Sequence, residues 1–225
     1  MRALYTLLLV TSLIISCKKD KDDKSFKSTP IPTDISKLYE THGDVNADTV
    51  WIYVQGGPVT EREYAFEERY DDGSDLYPFF KDDLRIYPYQ AQHLDPNIAS
   101  STIFDFEDAK KEAAKSSEIV KQIVEHFKAK NKVVYLVGHS YGSFIVNDVL
   151  ARYGSIARKT ISLNGRIEMD DVVWQGFSKG EEWLFDQSGL NPWLNTSATN
   201  TTEEKNMRRL AAGLGYNRYT ERYAN

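Results

Sequence analysis

One stretch, KVVYLVGHSYGSFIVNDVL from Lys132 to Leu150, limits what this chain can fold into more than any other. KVVYLV is a short, nearly continuous apolar run, the pattern of a strand buried on both faces by helices. Gly138 and Gly142 bracket Ser140, and GSFIVNDVLARYG then reads as a helix stopping at Gly154. A serine held between strand and helix sits at a strained backbone position. Glycines on either side remove side chains that would collide with the neighbouring strand and helix. The helix that starts beneath such a serine places amide groups and a positive dipole end there, which favours negative charge.

The flanking segments fit the same plan. TVWIYVQ, from Thr49, is rich in β-formers and runs into a turn at Gly56-Gly57-Pro58. DLRIYPYQAQ reads as a second strand, which Pro88 either weakens or marks as an edge. Between Asp105 and Lys130, Phe106, Ala109, Ala113, Val120, Ile123, Val124 and Phe127 form one helical stripe, with Asn131 as its stop. RKTISLN is a further strand. Strands alternating with helices predict an α/β fold: a mainly parallel sheet with flanking helices and right-handed crossovers. Beyond Gly165 the chain reads as helical and loop-rich, with Trp174, Trp183 and Trp193 spaced along it.

The first residues have a different character. MRALYTLLLVTSLIIS carries one cation, Arg2, and then an apolar run too short to span a bilayer, as in a secretory signal. Cys17 is the only cysteine in 225 residues, so no internal disulfide can form. It follows Ile14-Ile15-Ser16, which resembles a bacterial lipobox, where a small residue precedes a cysteine that is lipidated and becomes the new N-terminus. The plainer reading is an uncleaved signal with an incidental thiol. KKDKDDKSFKSTPIPTD is charged, poor in apolar residues and contains two prolines, so it reads as a flexible tether. The expected organisation is a signal peptide over 1–16, a lipid-anchored tether over 17–48 and one globular domain over 49–225. By resemblance to bacterial lipoproteins, Lys18 after the cysteine favours the outer membrane. A net charge of -5 with no basic stripe argues against nucleic acid as a partner.

Acyl transfer needs donors aimed at the developing oxyanion, one of them usually the amide of the residue after the nucleophile. Here that residue is Tyr141. The second donor is expected from the loop after an earlier strand. Pro58 has no N–H, so the amide of Gly57 is the first choice and that of Gly56 the second. A plain turn is the bland alternative for this loop. From Thr49 to Gly165, through VQGGP and GHSYG, the chain resembles the α/β-hydrolase family. Its glycine-rich loop is similar to the His-Gly-Gly-Pro-Gly loop of proline iminopeptidase-like members. Gln55 stands in place of the histidine and Val59 in place of the last glycine, so peptidase specificity does not carry over. The resemblance implies that residues 170–215 form a helical, lid-like segment over the pocket. It also implies an ester, amide or peptide substrate attacked by Ser140, without metal or cofactor.

In that family the acid and the histidine follow the nucleophile in the chain. The four histidines here are His42, His93, His126 and His139, and none follows Ser140. The family pattern therefore reads as C-terminally incomplete, lacking the strands that carry the base. His42 reads as a surface turn and His126 as solvated. His139 adjoins the serine but points away from it, and His93 is the best surrogate because it follows a strand. Glu168, Asp170 and Asp171 are candidates to orient a base, or caps of the next helix. Three functional readings result: a lipid-anchored serine hydrolase lacking its histidine, a catalytically dead binding module using the same cleft, and an enzyme with His93 as a relocated base.

The anchor is testable alone. Cys17→Ser is expected to move the protein out of the membrane fraction in detergent-free fractionation. A mutant that still sediments with membranes would exclude lipidation at Cys17.

Overall fold

A computed structural model describes residues 25–68, 76–165, 171–181, 183–185, 192–195 and 201–223. The signal segment 1–16, Cys17, Glu168 and Asp170 lie outside the described residues. After a 3-10 turn at Ile35–Lys37, the elements in chain order are β1 (Tyr39–Gly43), β2 (Thr49–Val54), α1 (Tyr77–Phe80), β3 (Leu84–Pro88), α2 (Ala91–Leu94) and α3 (Asn97–Ser100). They continue with α4 (Phe106–Ala129), β4 (Val133–His139), α5 (Tyr141–Tyr153), β5 (Lys159–Leu163), α6 (Asp171–Ser178), β6 (Trp183–Phe185), β7 (Pro192–Asn195) and α7 (Thr202–Tyr223).

The main sheet is mixed, with five strands in the order β1-β3-β2-β4-β5. β3, β2, β4 and β5 are parallel, and β1 runs antiparallel along β3, with Tyr39 opposite Pro88 and Gly43 opposite Leu84. Alternate residues sort the core onto the two faces. Val50, Ile52, Val54, Val134 and Leu136 pack with Ile123 and Val124 of α4, Ile145 and Val149 of α5, and Leu210 and Leu214 of α7. On the other face Tyr53 and Val137 meet Phe66 and Tyr87, with Trp51, Tyr64 and Phe80 packed around them. The apolar run of β4 predicted helices on both faces. Instead, the long helices α4, α5 and α7 cover one face, and Tyr64 and Phe66, with Phe80 of the short α1, cover the other.

The helix in front of the serine strand forms as its sequence directs. Asp105 caps α4 by accepting from the Asp108 amide at 2.9 Å, and Asn131 ends it in the left-handed region at φ 59°. Every apolar residue of its predicted stripe is buried or packed against the core.

Four expectations change. First, the tether read over 17–48 stops short of residue 48. Leu38 is fully buried, Phe26 packs edge-on against Phe104 at 4.9 Å, and β1 contains His42, which was read as a surface turn. β1 is held by pairing along β3, and the proline-containing stretch before it by Phe26 on Phe104 and by the Thr29 amide donating to Asp95. Second, β3 is therefore not an edge despite Pro88, which closes the strand at its last position. Third, the segment read as lid-like over 170–215 is not separable from the core. In α7, Met207, Leu210, Ala211 and Leu214 are core residues, and each buried leucine contributes about 2 kcal/mol. A methyl group on Gly213 would lie 2.6 Å from the Ala109 carbonyl oxygen, so only glycine lets α7 approach α4 this closely. Fourth, this segment also contains a two-stranded antiparallel sheet, β6 with β7, where only helix and loop were expected. Trp183 and Trp193 lie on these strands, and Trp174 of α6 packs edge-on to Phe144 at 5.9 Å.

Among the described residues, β5 forms the outer edge of the sheet on the side away from β1. Its Ile161 and Leu163 are 37% and 39% exposed on the aromatic face, opposite Val137 and His139 of β4. An edge strand with exposed apolar side chains invites pairing with another chain. Ile161→Lys is expected to raise the monomer fraction in sedimentation velocity while changing stability by no more than about 0.5 kcal/mol. A wild-type chain that is already monodisperse at high concentration would refute this.

Candidate active site

β4 delivers Ser140 to the end of the sheet where β2 and β5 also finish, and α5 starts at the next residue. Ser140 has φ 50° and ψ -114°, a backbone conformation that side chains other than glycine rarely adopt. Neighbouring strands hold the strain in place. The Ser140 amide donates to the Leu163 carbonyl at 2.8 Å, and the Ser143 hydroxyl donates toward the carbonyls of Gly138 at 2.6 Å and Leu163 at 2.9 Å. Both flanking glycines are required sterically. A methyl at Gly142 would lie 2.0 Å from the Val54 carbonyl oxygen, and one at Gly138 would lie 2.4 Å from the Gly142 carbonyl oxygen. Both distances are below any real contact. Gly165 is similarly confined, with a methyl there only 2.1 Å from the Ser143 Cβ.

Tyr141 is the first residue of α5, so its amide belongs to the first turn, where no carbonyl of the helix itself is available as a partner. Its side chain is fully buried, and desolvation, then the nearby Asp148 charge, raise its hydroxyl pKa. Of the two candidate loop glycines, the structure brings Gly56 against the serine. A methyl on Gly56 would lie 3.3 Å from the Ser140 Cβ and 3.3 Å from the His139 Nδ1. Gly57 follows with φ 114°, is exposed, and lines a neighbouring cleft.

Three glutamines fix this loop, and only one of them drew notice in the sequence. Gln55 marked a departure from a family pattern; in the structure it is buried and organises the turn. Its side-chain amide donates to the Glu61 carbonyl at 2.7 Å, and its side-chain oxygen accepts from the Glu63 amide at 3.1 Å. From the end of β3, Gln90 donates to the Gln55 carbonyl at 2.8 Å, and Gln92 donates to the Val59 carbonyl at 3.0 Å and to the Gln90 side chain at 2.7 Å. Buried amides are tolerated only when so paired. The visible sequence signal is three glutamines at 55, 90 and 92 beside apolar strands.

The histidines fall in four different settings. His93, the surrogate base, is occupied at both ring nitrogens. Nδ1 accepts from the Gln90 amide at 3.0 Å, and Nε2 lies 3.1 Å from the Val59 carbonyl, to which only a protonated nitrogen can donate. Burial and the Arg62 guanidinium, 3.3 Å from Nδ1, lower its pKa to about 4. This histidine is a loop clamp, and the relocated-base reading is withdrawn. His42 lies in β1 with Nδ1 3.5 Å from the Glu67 carboxylate. His126, read as solvated, is half-buried within 6.4 Å of Tyr39, and burial, then Lys130, lower its pKa. His139 has its Nδ1 3.8 Å from the Glu63 carboxylate and shares contact with Gly56 with the serine, closer to the site than the sequence suggested. None of the four hydrogen-bonds Ser140. Asp171 opens α6, and its side chain lies outside the described residues.

Beside Gly57 lies a cleft of 410 Å³, lined by Pro58, Val59, Phe177, Met207 and Ala211, with Glu61, Glu203, Glu204 and Arg208 also on its walls. The Thr60 hydroxyl donates to the Glu203 carboxylate at 2.7 Å, joining the loop to α7. The cleft is thus formed by the glycine loop on one side and α6 and α7 on the other.

No family model matches the chain, and no curated protein matches it. Among solved structures it is similar to a lipase-esterase related protein from Clostridium acetobutylicum, with a TM-score of 0.42 and 18% identity over 62% of this chain and 52% of that one. It is also similar to MenH from S. aureus, with a TM-score of 0.41 and 14% identity over 64% of this chain and 50% of that one. The chain therefore spans about half the length of each.

The clamp role of His93 sets a pH dependence. Its folded pKa of about 4 lies below the unfolded value near 6.5, so the unfolded chain binds the extra proton first. Stability from this group is therefore complete above about pH 6.5 and declines as pH falls towards 4. His93→Gln is expected to flatten that part of the curve in urea titrations. An unchanged slope would show that His93 is not buried in its neutral form.

Proposed function

We propose that the domain is a lipid-anchored serine hydrolase of α/β-hydrolase type, with Ser140 attacking an ester or amide carbonyl. The backbone of Ser140 carries this reading: a serine at φ 50° between a central strand and a helix N-terminus, with Gly56 packed against it. That conformation is costly, and such strain collects where a reacting group must be presented. The amides of Tyr141 and Gly57, with Gly56 as the other loop choice, are the proposed oxyanion donors. The cleft beside Gly57 is the proposed acyl or peptide site. The reaction as proposed uses no metal and no cofactor. The bacterial outer membrane is the proposed location, through lipid on Cys17.

Turnover in this chain is proposed to be very weak or absent, because none of its histidines hydrogen-bonds the serine. In subtilisin, loss of the histidine lowers turnover about a million-fold, while oxyanion donors and binding retain roughly a thousand-fold over water. The same magnitudes favour a second reading, a surface binding module that holds an acyl ligand without turning it over. The apolar part of the cleft, supplied by Pro58, Val59, Phe177, Met207 and Ala211, supports it.

A fluorophosphonate probe tests whether any base assists Ser140, because an unassisted serine hydroxyl stays protonated and reacts negligibly. The expected result is negligible labelling, with Ser140→Ala indistinguishable from wild type. Rapid labelling lost in Ser140→Ala would establish an active hydrolase. His139→Gln would then show whether the histidine beside Gly56 supplies the base.

A further inference from the structure

The described part of the N-terminal segment bears on which end of the domain would face the proposed anchor. Residues 26–31 are strapped to the molecule by three contacts. Phe26 packs edge-on to Phe104, the Thr29 amide donates to the Asp95 carboxylate at 3.0 Å, and Lys115 donates to both the Ser28 hydroxyl and the Thr29 carbonyl. Lys115 is itself held by Glu112, a buried carboxylate 2.9 Å away, so the strap ends on a paired interior charge.

These contacts all lie at the serine end of the sheet. Asp95 follows β3 and α2, beyond the end of the parallel strands, and Ser116, next to Lys115, accepts from the Ala91 amide at 3.0 Å. The same α2 residues clamp the glycine loop through Gln90 and His93, and Gly56 of that loop touches Ser140. At the other end of α4, Lys132 donates to the Asn46 and Ala47 carbonyls of the turn between β1 and β2. The two ends stand apart by the length of α4, 24 residues or about 36 Å.

Only residues 18–25 separate Cys17 from Phe26, a reach of at most about 30 Å even fully extended. We infer that the domain is held with its Ser140 end towards the lipid surface, because the strap leaves the body at that end on a leash shorter than the body. This inference rests on the lipid anchor proposed above. The exposed side chains of Val59 and Ile103 and the apolar cleft beside Gly57 all lie at this end. An acyl group carried in the bilayer then reaches the cleft without passing around the domain.

The full-length lipidated protein, reconstituted in vesicles of phosphatidylethanolamine and phosphatidylglycerol, provides the test. Lipidation consumes the Cys17 thiol, so a cysteine introduced at an exposed position is the sole labelling site. Ile103→Cys marks the serine end and Val45→Cys the far turn. Energy transfer from a thiol-linked donor to a headgroup acceptor lipid is expected to be at least about twofold more efficient from position 103, given ends about 36 Å apart. Phe26→Ala with Lys115→Ala, which opens the strap, is expected to shrink that difference. Equal or reversed transfer in protein that co-sediments with vesicles would overturn the orientation and leave the hydrolase reading intact. Failure to co-sediment would overturn the anchor, and the orientation with it.

Discussion

The position of Ser140 depends on the close backbone approach where α5 begins against the end of β2. Gly142 stands so near the Val54 carbonyl that no side chain fits between them. That proximity forces the chain to leave β4 through a sharp turn, and Ser140 takes the strained conformation that results. β5 completes the restraint, since its last carbonyl, from Leu163, accepts from the Ser140 amide and from the Ser143 hydroxyl. The serine is positioned by three strands at once, which is why its geometry persists without a partner histidine.

A second layer of constraint sets the glycine loop. Gln55, Gln90, Gln92 and His93 hydrogen-bond around it, and Arg62 holds the far side by donating to the carbonyls of Tyr87 and Pro88, both at 2.7 Å. Each of these groups is costly to bury alone and stabilising when paired. Rigidity at this loop therefore comes from polar side chains just after β2, just after β3 and in α2 acting together, while the apolar core beneath supplies the platform. His93 is consumed by this role, and the physics that makes it a good clamp makes it a poor base.

The elements read from the sequence were those with strong local periodicity. The stripe from Phe106 to Phe127, the β-rich runs of β2 and β4, and the glycines at 138 and 142 each carry their signal in adjacent residues. The misread elements depend on partners remote in the chain. β1 looks like tether until β3 offers it an edge. α7 has a weak stripe of its own and becomes core because glycine at 213 lets it settle onto α4. The aromatic cover over the second face of the sheet has no helical or strand period, so nothing local announces it.

By itself, the sequence determined the alternation of strands and helices, the serine turn and the steric need for its glycines, because spacing along the chain encodes these features. Tertiary structure decided that Gly56, rather than Gly57, touches the serine, that His93 is spent as a clamp, and that the N-terminal strap joins the serine end. Those outcomes rest on contacts between residues tens of positions apart, whose partners are chosen by packing and by the cost of leaving buried polar groups unpaired.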